Sequence, residues 1–124
     1  MSFMSNKSLP HHHTDEIKTE HLKAQLEKTE NFQIVAEVFK QLSDYSRLRI
    51  FWLLCHCEEC VTNISALVNM TSPAVSHHLS RLKANNLIVS QRKGKEVYYK
   101  AADSEQSRLL HLAIEKVMEI SCPE

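Results

Sequence analysis

Residues 62–99 read as a short helix, a tight turn, a second helix and a basic hairpin, and this run leaves few folds open. Thr62 is placed to cap the first helix, which carries Ile64, Leu67 and Val68. Asn69-Met70-Thr71 makes the turn. Ser72 as N-cap with Pro73 at the first helical position is a strong start signal, because proline there gives up no hydrogen bond and presets φ. Val75, Leu79 and Leu82 then point inward, which leaves Pro73, Ser76, His77, Ser80 and Arg81 facing out. Residues 87–91 and 97–101 read as two strands joined by Arg92-Lys93-Gly94-Lys95-Glu96, where the only glycine of the chain supplies the turn. The pattern predicts a winged helix-turn-helix.

The rest of the chain fits the same mainly helical class with a small β-hairpin wing. At 124 residues there is little surplus for a second core, and one glycine and three prolines are too few for the tight turns of an all-β protein. Residues 1–13 are expected to be a flexible polar tail ending in His11-His12-His13, and residues 122–124 a second short tail. Between them, residues 14–121 form the winged helix-turn-helix domain with leading and terminal dimerisation helices. A polar helix with Asp15 and Glu16 at its start and only Ile17, Leu22 and Leu26 as apolar positions is predicted from Thr14 to about Glu30. Phe32, Val35, Val38, Phe39 and Leu42 recur at helical spacing and predict a buried helix. Asp44 caps the next, whose Leu48, Phe51, Trp52 and Cys55 share a broad face. Asp103-Ser104-Glu105-Gln106 resembles a capping box before a terminal helix bearing Leu109, Leu110, Ala113, Ile114, Val117 and Met118. No apolar run approaches the ~18 residues that span a bilayer, and Met1 to Pro10 lacks a signal-peptide core, so no membrane partner and a cytoplasmic location are expected.

The formal net charge is zero, but it is unevenly divided. Residues 72–100 hold six basic side chains (Arg81, Lys83, Arg92, Lys93, Lys95, Lys100) against Glu96 alone, a local charge of +5. Phosphates respond to charge within a Debye length of ~8–10 Å, so the local value is the relevant one. Small and hydrogen-bonding side chains on an exposed helix let the backbone approach base edges in a major groove, and Ser72, Pro73, Ser76, His77, Ser80 and Arg81 meet that need. Arg92, Lys93 and Lys95 add wing contacts on the same side, and His78 is weighted towards packing. The expected partners are double-stranded DNA and a second copy of the chain, because one module of this size covers little of a DNA site. Catalysis is not expected. There is no phosphate-cradling glycine loop, no paired-His metalloprotease helix and no βαβ context for the Cys57-x-x-Cys60 spacing.

Over about residues 31–121 the sequence resembles the ArsR/SmtB family of metalloregulatory winged-helix repressors. The matching residues are Leu42-Ser43-Asp44-Tyr45-Ser46-Arg47-Leu48-Arg49-Ile50, Glu59-Cys60-Val61-Thr62-Asn63-Ile64, residues 72–82 and Tyr98-Tyr99. The resemblance implies an element order α-α-α-α-β-β-α, a homodimer, and repression of a palindromic operator that an inducer relieves. It also shows departures. Where relatives keep a second thiolate, this chain has Thr62, so only Cys60 of that motif remains. The family's interface site falls on Asp103, Glu105, Lys116 and Glu119, where ion pairs among Lys116, Glu105 and Asp103 replace a metal, since a protonated lysine has no lone pair.

Two sensing schemes stay open. In one, Cys60 with Cys57 or Cys55, and histidines from His11-His12-His13 or His21 of the other subunit's leading segment, bind a thiophilic ion. Mixed sulfur and imidazole ligands suit Zn²⁺, Cd²⁺, Co²⁺ or Ni²⁺, and all-sulfur coordination by Cys55, Cys57 and Cys60 suits As(III) better. In the other, Cys122 pairs with Cys55 as a redox or persulfide switch, as the thiol-responsive branch of the family implies. A DNA-binding protein with no inducer is the third alternative.

Overall fold

A computed structural model describes residues 9–122. Residues 1–8 of the expected N-terminal tail, and Pro123 and Glu124 of the expected C-terminal one, lie outside the described residues. The chain divides into two units, Met1–Glu37 and Val38–Glu124. The first holds α1 (Glu16–Leu26) and the start of α2 (Thr29–Ser43). The Asp15 carboxylate accepts from the backbone N–H of Ile17 at 3.1 Å and sets the start of α1, as the acidic residues there predict. The helix ends at Leu26 and does not reach Glu30. The break is a backbone turn, with Lys28 N–H donating to Gln25 O and Thr29 N–H to Glu27 O, and no glycine or proline marks it in the sequence.

The apolar spacing of α2 predicts a buried helix, yet within the described chain Gln41 is its only buried residue, and Phe32, Val35 and Phe39 are each more than half exposed. Periodicity identifies which side chains are apolar. It does not supply the surface that covers them.

The second unit is built on α3 (Tyr45–His56), β1 (Glu59–Cys60), α4 (Val61–Val68), α5 (Ser72–Ala84), β2 (Ile88–Lys93), β3 (Glu96–Ala101) and α6 (Glu105–Ser121). Its core joins Ile50, Phe51 and Leu54 of α3 to Ile64 and Val68 of α4, and to Val75, Leu79 and Leu82 of α5. Leu87, Ile88 and Leu110 close it. Asp44 caps α3 as expected, its Oδ2 accepting from Arg47 N–H at 2.9 Å.

Thr62 is not a cap. Helix α4 starts at Val61, and its N-cap residue Cys60 makes no side-chain capping bond. The cause is β1, which pairs antiparallel with β3 (Glu59 opposite Tyr99, Cys60 opposite Tyr98) and holds the backbone extended until the helix begins. A strand of two residues has no periodicity to read, so the sequence gives no sign of it. At the other end of α4, Asn69 adopts the left-handed conformation (φ 57°) that ends the helix and starts the predicted turn. The cap of α5 shifts by one residue, because the Thr71 hydroxyl accepts from Ala74 N–H at 3.3 Å. Ser72, expected as the cap, is already helical, and its Oγ lies 3.2 Å from Ser65 Oγ of α4.

The sheet order is β1-β3-β2. Lys93 pairs with Glu96, so the wing turn is only Gly94-Lys95, with Gly94 at φ +64°. Glycine first in a two-residue hairpin connection relieves the cost of that positive φ. Arg92 and Lys93, expected in the loop, therefore lie in β2. Ser104 caps α6 by accepting from Ser107 N–H at 3.1 Å, while Ser107 Oγ donates to Leu87 O at 3.1 Å and ties α6 to the core. Leu109, Leu112, Val117 and Ile120 of α6 are each more than half exposed. Among the described residues no helix is long and apolar enough to cross a membrane.

Candidate nucleic-acid interface and ion-binding cluster

Helix α5 divides sharply by face. Val75, Leu79 and Leu82 are at most 1% exposed, whereas Ser72, Pro73, Ser76, His77, Ser80 and Arg81 are all exposed. The outward row has short hydroxyl side chains in its first two turns and a donor fork at its end. Arg81 Nε donates to His77 Nε2 at 3.2 Å, an i,i+4 contact that orders both side chains on that face. Lys83 Nζ donates to Ser90 Oγ at 2.7 Å and links the end of α5 to β2. His78 stays half-buried, with Nε2 3.8 Å from Asp44 Oδ2, and burial pushes its pKa down against the pull of Asp44. It packs, as its spacing from Val75 and Leu82 predicts.

Arg92, Lys93 and Lys95 of the wing are exposed. They are not equivalent. Lys93 bonds the Glu58 carboxylate and lies 5.3 Å from the Tyr98 ring centre, and that bond holds the Glu58 carboxyl below its usual range. Arg92 and Lys95 make no ion pair among the described residues. Glu58→Gln should therefore release Lys93 for phosphate and tighten DNA binding. Its measure is the slope of log affinity against log salt, which should steepen by up to ~0.9 for one added phosphate contact.

The four cysteines occupy different settings. Cys55 is partly buried in α3, Cys57 follows its last turn, Cys60 is buried in β1, and Cys122 is exposed after α6. Burial, with a smaller push from the Glu115 charge, raises the Cys55 thiol to about 11. Cys57 is also raised, by burial and then Glu59, and its Sγ–H donates to Leu53 O at 3.5 Å. Both are thiols at neutral pH, so a metal that takes them must displace protons. His13 is exposed and belongs to the first unit. The ion pairs expected among Lys116, Glu105 and Asp103 belong to an interface between two copies, and within one chain Lys116 and Asp103 have other partners. Lys116 takes Glu119 one turn along its own helix at 3.4 Å, and Asp103 takes Arg108 at 2.6 Å.

Among the described residues, the metal-ligand types that converge are His56, His111 and Glu115. His56 ends α3, and His111 and Glu115 stand one turn apart on α6. His56 Nε2, His111 Nε2 and Glu115 Oε1 are separated by 3.2, 3.1 and 3.3 Å. Trp52 Nε1–H donates to the same Oε1 at 3.0 Å, and this bond, then that of His111, keeps the Glu115 carboxyl below its usual range. His56 and His111 also line a cleft of about 410 Å³ with Cys55, Cys57, Asp103 and Arg108. This group was not among the sequence-predicted ligands. The signals available were the i,i+4 pairs Trp52/His56 and His111/Glu115.

Residues 44–90 match the family model described as bacterial regulatory protein, arsR family. The arsenical resistance operon repressor of Bacillus subtilis is 34% identical over 84 residues, 67% of this chain and 80% of that protein. The chain belongs to the ArsR family. A transcriptional repressor SmtB homolog of Synechocystis is 40% identical to this ArsR-family chain over 72 residues, 58% of the chain. The match spans only 54% of that relative's length, and the next two relatives are spanned to 59% and 56%. Among solved structures, the homodimeric winged helix-turn-helix DNA-binding domain Mb0332 of Mycobacterium bovis superposes with a TM-score of 0.66 at 30% identity, covering 74% of this chain and 84% of that one. The fold of this ArsR-family member is thus a winged helix, with β1 and β3 joining the wing stem to the start of α4.

Proposed function

We propose that the chain is a sequence-specific DNA-binding transcriptional repressor, homodimeric on a palindromic operator and released by a thiophilic metal or metalloid ion. The exposed row Ser72, Pro73, Ser76, His77, Ser80 and Arg81 beside the basic wing carries this reading. The row enters a major groove while Arg92 and Lys95 hold phosphates, with Lys93 exchanging Glu58 for one. Two copies with recognition helices ~34 Å apart would meet successive major grooves. The exposed apolar residues of α2 and α6 suit the contact between copies, and Mb0332, with which this fold superposes, is described as homodimeric.

The relative named for arsenical resistance supports an ion as inducer. Its proposed ligands are the thiolates of Cys55, Cys57 and Cys60 with His13, and Zn²⁺, Cd²⁺ and As(III) are the ions to test. The ion must bind the weak-DNA conformation more tightly than the DNA-competent one. The test is fluorescence anisotropy of the chain on its own upstream DNA at fixed salt. The expected result is tighter binding there than to scrambled DNA, with affinity falling by ~5–150-fold on adding one of the ions. Equal affinity for scrambled DNA would sink the repressor reading, and indifference to all three ions would sink the inducer.

A further inference from the structure

We infer that His56, His111 and Glu115 form a second, thiolate-free site for a borderline divalent cation of the Zn²⁺, Co²⁺ or Ni²⁺ class, joining the end of α3 to the middle of α6. The three donor atoms lie 3.1, 3.2 and 3.3 Å apart. Protons alone satisfy this triangle poorly. The contact between the two imidazole nitrogens needs one Nε2 protonated and the other bare, and the bare nitrogen then faces the Glu115 oxygen lone pair to lone pair. If both are protonated, their N–H groups oppose each other. A cation at the centre of the three lone pairs removes the conflict.

The spacing also suits a metal. Tetrahedral ligands at ~2.0–2.1 Å from Zn²⁺ lie roughly 3.3–3.4 Å from one another, close to the edges of this triangle. Two imidazoles and one carboxylate are a donor set that borderline ions accept. Solvent supplies a fourth position, because the side chains of His56, His111 and Glu115 are 45%, 29% and 42% exposed.

The group is also braced from behind. Trp52 N–H bonds the Glu115 oxygen at 3.0 Å, the Trp52 and His56 rings lie 4.4 Å apart, and the His56 and His111 rings meet edge-on at 4.8 Å. An outer partner that fixes a ligating carboxylate commonly matters 10–100-fold for metal affinity, by order of magnitude roughly. None of these ligands is a cysteine, and none belongs to the DNA-reading row. The site stands or falls apart from the proposed repressor function.

The experiment is a Co²⁺ titration of the full chain without DNA, followed by visible absorption and by the emission of Trp52, the only tryptophan. The expected result is one ion per chain at this site, ligand-field bands of low coordination number without the sulfur-to-cobalt charge-transfer absorption that the proposed cysteine site would give, and quenching of Trp52. His56→Ala and His111→Ala should each lower cobalt affinity by about 10–100-fold or more, and Trp52→Phe, read by absorption, by ~10-fold. Glu20→Gln, at an exposed carboxylate of α1, should leave it unchanged. If His111→Ala loses helix content, His56→Ala at its exposed helix end carries the decision. Signals that persist in His56→Ala, or that the unaltered chain never shows, overturn the site. Metal-free anisotropy on the same samples separates the two readings: DNA binding without cobalt binding removes only this site, and cobalt binding without DNA binding removes only the repressor.

Discussion

Arg81→Ala should weaken binding of the chain to its own upstream DNA by about 1–3 kcal/mol, roughly five- to 150-fold, while leaving folding stability within ~0.5 kcal/mol. The two halves of that expectation come from the same geometry. Arg81 is exposed, its guanidinium donates to His77 Nε2 at 3.2 Å, and it is not part of the core cluster beneath α5. Truncation therefore removes a guanidinium fork from the groove side and little else. Binding to DNAs with single base pairs changed distinguishes what the fork touches. If Arg81 reads a base, the variant loses discrimination at one position only. If it holds a phosphate, affinity falls evenly across sequences and the salt slope drops by ~0.9. An affinity equal to that of the unaltered chain on every DNA would end the assignment of α5 as the recognition helix.

Phe51→Ala is expected to produce the largest loss of stability, ~3–5 kcal/mol. Phe51 is fully buried and is the largest of the fully buried side chains. It shares the core cluster with Leu54 of its own helix, Ile64, Val68, Val75, Leu79, Leu82, Ile88 and Leu110, and so joins five elements. Alanine leaves a cavity there that neighbouring helices close only in part. Domains of this size have roughly 5–15 kcal/mol in all, so the loss takes a large share. Urea unfolding followed by far-ultraviolet circular dichroism measures it as a fall in midpoint at unchanged slope. A midpoint within error of the unaltered protein would show that α3 is not the centre of the core.

The outward-facing row of α5 was legible because it is a property of one helix. Apolar Val75, Leu79 and Leu82 against outward Ser76, His77, Ser80 and Arg81 is a local pattern, and local patterns survive without knowledge of the rest of the fold. The turn after α4 and the glycine in the wing turn were legible for the same reason, though not the left-handed backbone of Asn69 or the pairing of Arg92 and Lys93 within β2. The start of α5 was off by one because Thr71 and Ser72 are both capping types, and only the hydroxyl geometry chooses between them. The apolar stripe of α2 was read correctly and its burial was not, since burial depends on what lies opposite. The His56, His111 and Glu115 group was illegible for a deeper reason. Its two histidines are 55 positions apart, and only the packing of α3 against α6 brings them together.

Only Cys57 and Glu58 separate the end of α3 from β1, and no residue separates β1 from α4. Helix α3 ends at His56, three residues later Glu59 is already paired with the centre strand of the sheet, and α4 begins at the residue after Cys60. Mechanically this stretch behaves as a taut tie between three parts. A rotation of the α3 end has no slack in which to dissipate, so it must either break the pairing of Glu59 and Cys60 with Tyr99 and Tyr98 or swing the stem of the wing and the first helix of the reading pair together.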